Sequence, residues 1–263
     1  MERLGLVFTY GSWVDREVEN RLVFRNQPGL RTLPEALHVA TDLLIEDCHD
    51  LTDLGQELVA GEINIWHCRN LEWLPESIEC TSLVISDCRA FKGFKGSPKV
   101  ADKVVIHKCP KLETLGRPGL QLPELELINC GGSHPLHPGT RIQRSLKINR
   151  CDDIKALPGG LSVGGSLLLH ACEHLSEIPE DVKVGGNLDL WWLSSLRRTP
   201  PGLEVGNDLD ILWCFNLEAL GEDFQVHGRL RINRCRRLAS LGKRNRVGGS
   251  IDLIDCPGLQ EPP

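Results

Sequence analysis

The 263-residue sequence predicts a repeat solenoid, and three observations carry that prediction: a cysteine ruler, a pair of alternating aliphatic residues before each ruler mark, and a Pro or Gly after it. Cys88, Cys109, Cys130, Cys151, Cys172, Cys214, Cys235 and Cys256 are spaced by 21 residues, or by 42 where Leu193 takes the place. Backwards the ruler continues through Cys68, Cys48 and Gln27 at steps of 20, 20 and 21, and of the eleven cysteines only Cys80 lies off it. A fixed period of this length marks stacked repeats, which present a long surface and seldom enclose a reaction centre.

The elements of one turn follow in order. Leu167 and Leu169, Leu209 and Ile211, Leu230 and Ile232, and Ile251 and Leu253 alternate with other residues, the period-two pattern of a short strand with one buried face. After the ruler mark the apolar spacing opens to three, and Pro or Gly follows, as at Pro75, Pro158, Pro179, Pro200 and Gly221. Proline there prevents a useful helix, so the return path is expected to be extended or 3₁₀. Gly164-Gly165, Gly185-Gly186 and Gly248-Gly249 then allow the chain to turn into the next strand. The expected organisation is a capping segment over residues 1–20, with Leu6, Val7 and Phe8 as its strand, and a solenoid of about twelve turns over 21–263.

Written as x-L-x-L-x-x-C-x-x-L-x-x-L-P followed by V-G-G, the repeat resembles a leucine-rich repeat of the short, helix-poor bacterial type, over about nine-tenths of the chain. The resemblance implies a right-handed solenoid with a parallel β-sheet on its concave face and a mostly extended or 3₁₀ convex side. It also implies that the Cys side chains point inside and bond loop backbone. A parallel β-helix of another kind is the structural alternative, because V-G-G-x-L-x-L also suits a second sheet. Around Cys130 the run Gly131-Gly132-Ser133-His134-Pro135 lacks the Leu expected three residues on, so a local irregularity is expected there.

Composition narrows the function. An apolar share of 41% is enough for a continuous core, while a formal charge of −6 and a pI near 5.9 disfavour a general nucleic-acid binder. The N-terminus has no basic region or small-residue cleavage site of a secretion signal, and no apolar run is long enough for a membrane span. With Leu in every repeat, buried reduced thiols in a cytoplasmic setting are the better reading of the cysteines than a disulfide scaffold. No phosphate loop, dinucleotide fingerprint, nucleophile elbow or zinc-protease helix is present, so no catalytic residue or cofactor is expected. Cys130, His134 and His137 have spacing that zinc accepts, but they lack a fourth ligand and Cys130 belongs to the ruler; no metal site is expected there. Cys80 stands where other turns carry Val and reads as a buried substitute.

The residues flanking the strand leucines should point outward. Trp66, Trp191, Trp192 and Trp213 fall on such positions, with Asp189 and Asp210 beside the last three and Arg229, Arg231 and Arg234 on the next turn. Trp and Arg are the residues most often found at binding hot spots. These nine residues are the expected protein-binding set, in a non-catalytic recognition or scaffold subunit whose partner could also cover the C-terminal end. Two other readings stay open at this point: an adaptor that grips phosphate or nucleic acid through its Arg-rich turns, and the regulatory subunit of an enzyme complex.

Overall fold

The computed structural model describes residues 16–18 and 20–259, a parallel β-solenoid with turns of about 21 residues. The expected cap over residues 1–20 lies almost entirely outside the described residues. Turns are numbered here by their ruler residue, from Gln27 in turn 1 to Cys256 in turn 12. One strand per turn, from Leu22–Arg25 to Ile251–Ile254, pairs in parallel with its neighbours to form the main sheet. Like residues stack on like: Leu167 aligns with Leu188 and Leu169 with Leu190, then Leu188 with Leu209 and Leu190 with Ile211. The inward leucines therefore form continuous columns, each side chain contributing about 1.5–3 kcal/mol on burial.

The return path is extended throughout, and the described residues contain no helix of any kind. Ser162–Val163, Lys183–Val184, Glu204–Val205 and their equivalents form a seven-stranded second sheet over the later turns. Earlier turns supply Ala36–Val39, Glu57–Val59 and the first part of Ser77–Ser86 at the same place. A third ladder joins Trp73–Leu74, Gly93–Phe94 and Thr114–Leu115, and resumes as single bridges from Ala156 to Glu177 and from Arg198 through Ala219 to Ser240. The V-G-G return thus builds a second sheet, and of the expected extended or 3₁₀ return path it is the extended form that the described residues adopt. The physical reason is the stacking itself: extended segments on every turn can satisfy their N–H and C=O groups on the turns above and below.

The ruler cysteines are interior. Ten of the eleven thiols are buried, and none forms a disulfide. Cys172 shows the geometry, with its Sγ 3.4 Å from the His170 carbonyl and 3.7 Å from that of Ile148 on the preceding turn. A small side chain with a weak donor fits this inner corner, whereas Leu193, fully buried at the same place, fills it without donating. Burial pushes the thiols of Cys109, Cys172 and Cys235 up to about 12, so they stay protonated. Cys80 is buried too, paired in register with Val100, and burial likewise pushes it up to about 12.

A feature of the corner was not legible beforehand. The residue just before the ruler mark has a positive φ in all twelve turns, from Asn26 at 46° to Asp255 at 52°. This left-handed conformation turns the chain out of the strand, and among residues with a side chain it suits Asn and Asp best. At turn 6 the expected irregularity is present: the third ladder is interrupted, and the main-chain N–H of Leu115 reaches the Pro135 carbonyl at 2.9 Å. At turn 12 the inward Ile251 is 43% exposed, in contrast to the buried inward residues of interior turns.

Candidate functional site

Three outward columns run along the main sheet, at four, two and one residues before the ruler mark. Over turns 9 to 11 the first column reads Asp189, Asp210, Arg231, the second Trp191, Leu212, Asn233 and the third Trp192, Trp213, Arg234. The expected set is therefore brought together on one face, except for Trp66. That residue lies on turn 3, six rungs from Trp191, or about 29 Å at roughly 4.8 Å per rung. It is 37% exposed and has no aromatic neighbour among the described residues.

The aromatic part has two layers. Trp191 stacks on His170 of the preceding turn, ring centres 4.5 Å apart and 7° from parallel, as register neighbours in the sheet require. Burial lowers the His170 pKa, with Lys147 adding to it, so this imidazole is neutral in the stack. Trp191 is a half-buried brace. Trp192 and Trp213, by contrast, project from the corner, ring centres 5.7 Å apart and 65° to each other, with Trp192 56% exposed. Their φ angles are 57° and 56°. The left-handed conformation costs an ordinary side chain about 1–2 kcal/mol, and bulky residues are outliers in it. The Arg234 guanidinium lies 5.9 Å from the Trp213 ring centre, within cation–π range.

The charged part is mostly self-neutralised. Arg231 donates from Nε and Nη2 to Asp210 Oδ1 and Oδ2 at 3.2 and 2.7 Å, a two-point contact with a carboxylate whose residue is only 9% exposed. Arg229 Nη2 stands 3.8 Å from Asp208 and 3.9 Å from Asp210, and its main-chain N–H donates to Asp208 Oδ1 at 2.7 Å. Arg234 pairs with Asp255 at 3.5 Å. Asp189 differs: burial, and then the Asp210 charge beside it, raise its carboxyl above the ordinary value, and Arg231 offsets only part of this. Leu212 is positioned outward, yet it is buried between Trp191 and Asn233 in its column, as is Leu44 between Val23 and Asn64.

Three participants lie outside the set expected from sequence. His170 serves as the platform for Trp191, and its signal was its place two residues before Cys172, directly below Trp191 on the ruler. Phe215, just past Cys214, is exposed and lies 5.9 Å from the Arg236 guanidinium; its signal was an aromatic residue where the other turns have polar residues, Pro or Gly. Asp208 is the third, as the partner of Arg229.

The possible metal ligands near turn 6 are engaged elsewhere. Cys130 Sγ lies 3.2 Å from the Ile106 carbonyl, His137 Nε2 is 2.7 Å from Thr114 Oγ1, and His134 Nδ1 is 2.9 Å from Ser133 Oγ. Among the described residues no group of three or more His, Cys, Asp or Glu side chains is arranged to hold a metal ion. No described helix is long and apolar enough to cross a membrane. The chain matches no protein-family model, no curated protein and no solved structure, so the geometry of the solenoid stands alone as the guide to its function.

Proposed function

We propose that the chain is a recognition module that binds a protein partner across turns 9 to 11, with Trp192 and Trp213 as its anchors. The observation that carries this reading is the placement of two adjacent tryptophans, Trp192 exposed and Trp213 half-buried, in a left-handed backbone position that Asn or Asp would occupy at lower cost. Other turns also place non-Asn, non-Asp residues in this conformation, so it is the residue type that marks turns 9 and 10: tryptophan is among the residues most enriched at binding hot spots. The surrounding charges suit a partner with apolar and basic groups, because Asp189 is the carboxylate left without a close cation while the arginines face carboxylates of their own. That same pairing counts against a phosphate grip at these turns.

The test uses Trp192→Asn and Trp213→Asn. Each variant loses an edge-to-face contact of about 0.5–1.5 kcal/mol and gains relief of a similar size in the backbone, so its folding stability should stay within about 1 kcal/mol of wild type. A partner captured on the immobilised chain and identified by mass spectrometry should then bind either variant about 30-fold more weakly, the equivalent of roughly 2 kcal/mol at one anchor. The same partner should bind Trp66→Ala and Arg237→Ala as it binds wild type. Unchanged affinity in both tryptophan variants would refute the placement.

A further inference from the structure

The repeat places Leu, Ile or Phe three residues after the ruler mark in eleven of the twelve turns, and only turn 6 has Ser133 there. The two flanking occupants, Leu112 and Ile154, are fully or almost fully buried. Ser133 instead faces solvent, with its hydroxyl against His134 Nδ1 at 2.9 Å. One core side chain is therefore missing from the middle of an otherwise continuous column.

Toward turn 5 the backbone of Gly131 and Gly132 lies tight against its neighbour, as at Gly55, Gly93 and Gly206 in other turns: a Cβ would stand 1.9 Å from the Pro110 carbonyl oxygen at the first, and 1.7 Å from that of Leu112 at the second. Toward turn 7 a pocket of about 110 Å³ remains, walled mainly by Pro135, Leu136, Ile148, Ile154 and Leu157. Its lining is almost wholly apolar, so a water inside would lack the two to four polar partners that hold buried water in place. Apolar cavities of roughly 150 Å³ stay dry and take up small hydrocarbons. The solvent-side residues His134 and Pro138 are exposed, which leaves a way in.

We propose that this pocket is a binding site for one small branched aliphatic group, the kind of group that the repeat itself supplies at this level in the other turns. The group's chemistry is fixed by the walls; it can arrive as a free hydrocarbon or as a leucine side chain on another peptide. The site lies on the return path beside Ile154 and is independent of the Trp face.

The experiment follows the methyl resonances of Ile148, Ile154 and Leu157 in the full chain during titration with isobutane and, separately, with N-acetyl-leucine N-methylamide. Saturable shifts confined to these methyls are expected with isobutane, with a dissociation constant no tighter than roughly 40 µM for a four-carbon ligand. Saturation by the leucine derivative as well would assign the source to a peptide side chain, and saturation by isobutane alone would assign it to a free ligand. Ala156→Phe, which extends a partly exposed wall residue into the space, should weaken binding at least tenfold. Ala156→Met provides the same block with a flexible side chain should the ring disturb folding. Absence of saturable shifts up to the solubility of isobutane, or equal shifts in the filled variants, would overturn the proposal.

Discussion

Asp210→Ala separates a structural charge pair from a decorative one. Asp210 accepts two hydrogen bonds from Arg231, at 3.2 and 2.7 Å, on a residue 9% exposed, and Arg229 stands 3.9 Å away. Unit charges at this separation interact by about 1 kcal/mol in bulk water and about 4 kcal/mol at the effective dielectric of a protein surface. Removing the carboxylate leaves two guanidinium groups without it, but their side chains are 34% and 39% exposed and can rehydrate. The loss should therefore fall below the 3–5 kcal/mol typical of a fully buried pair, at about 2 kcal/mol. Asp255→Ala is the comparison, because its pair with Arg234 is 3.5 Å long and exposed on both sides, and such pairs contribute about 0.2–1 kcal/mol. Urea unfolding followed by tryptophan emission reports the turns concerned, since Trp191, Trp192 and Trp213 all lie there. The reasoning fails if the two variants lose the same stability, or if a double-mutant cycle of Asp210→Ala with Arg231→Ala gives a coupling under about 0.5 kcal/mol.

Further outcomes follow from other parts of the structure. Asp189 has a folded-state pKa above its unfolded one, so the folded state binds the extra proton and stability falls as pH rises through that interval. Asp189→Asn should accordingly be more stable than wild type at pH 7, with the advantage vanishing below the ordinary carboxylate value of about 3.9; an advantage that persists at lower pH would contradict the assignment. A thiol reagent should find eleven reactive thiols after denaturation and react readily with at most the partly buried Cys256 before it, whereas fewer than eleven after denaturation would reveal a disulfide. Gly132→Ala should cost more than about 2 kcal/mol, since φ is 88° and the new Cβ meets the Leu112 carbonyl, while Gly29→Ala, with φ of 81° and nothing nearby, should cost only about 1 kcal/mol. Equal losses in the two glycine variants, measured by thermal unfolding, would show that the close approach at turn 6 is not what requires glycine.

Much of the architecture could be read from residues alone, because a strand has a side-chain period of two and a coil repeats it at constant length. Once the ruler was set, Leu167 and Leu169 had to point inward and Leu168 and His170 outward, and the structure has them so. The gathering of Trp191, Trp192, Trp213, Asp189, Asp210, Arg229, Arg231 and Arg234 on one face followed from the same index. Trp66 did not join them because matching columns do not bring distant turns together. The return path could be read only as extended or 3₁₀, because proline excludes a long helix without choosing between these two, and hydrogen bonds to neighbouring turns made the choice.

By itself the sequence determined the turn length, the interior columns and the list of outward residues, all of which depend on local periodicity. Only the tertiary structure decided what those outward residues do to each other. Trp191 became a brace and Trp192 and Trp213 an edge-to-face pair at the corner because a left-handed residue separates one column from the next. Asp210 was taken up by Arg231, and Asp189 was not, because ion pairing depends on side-chain reach across rungs. The pocket at turn 6 lies where Ser133 replaces the apolar residue of the other turns and the neighbouring side chains leave space beside Ile154. Each of these outcomes is a contact between residues about 21 apart, set by three-dimensional packing and not by spacing along the chain.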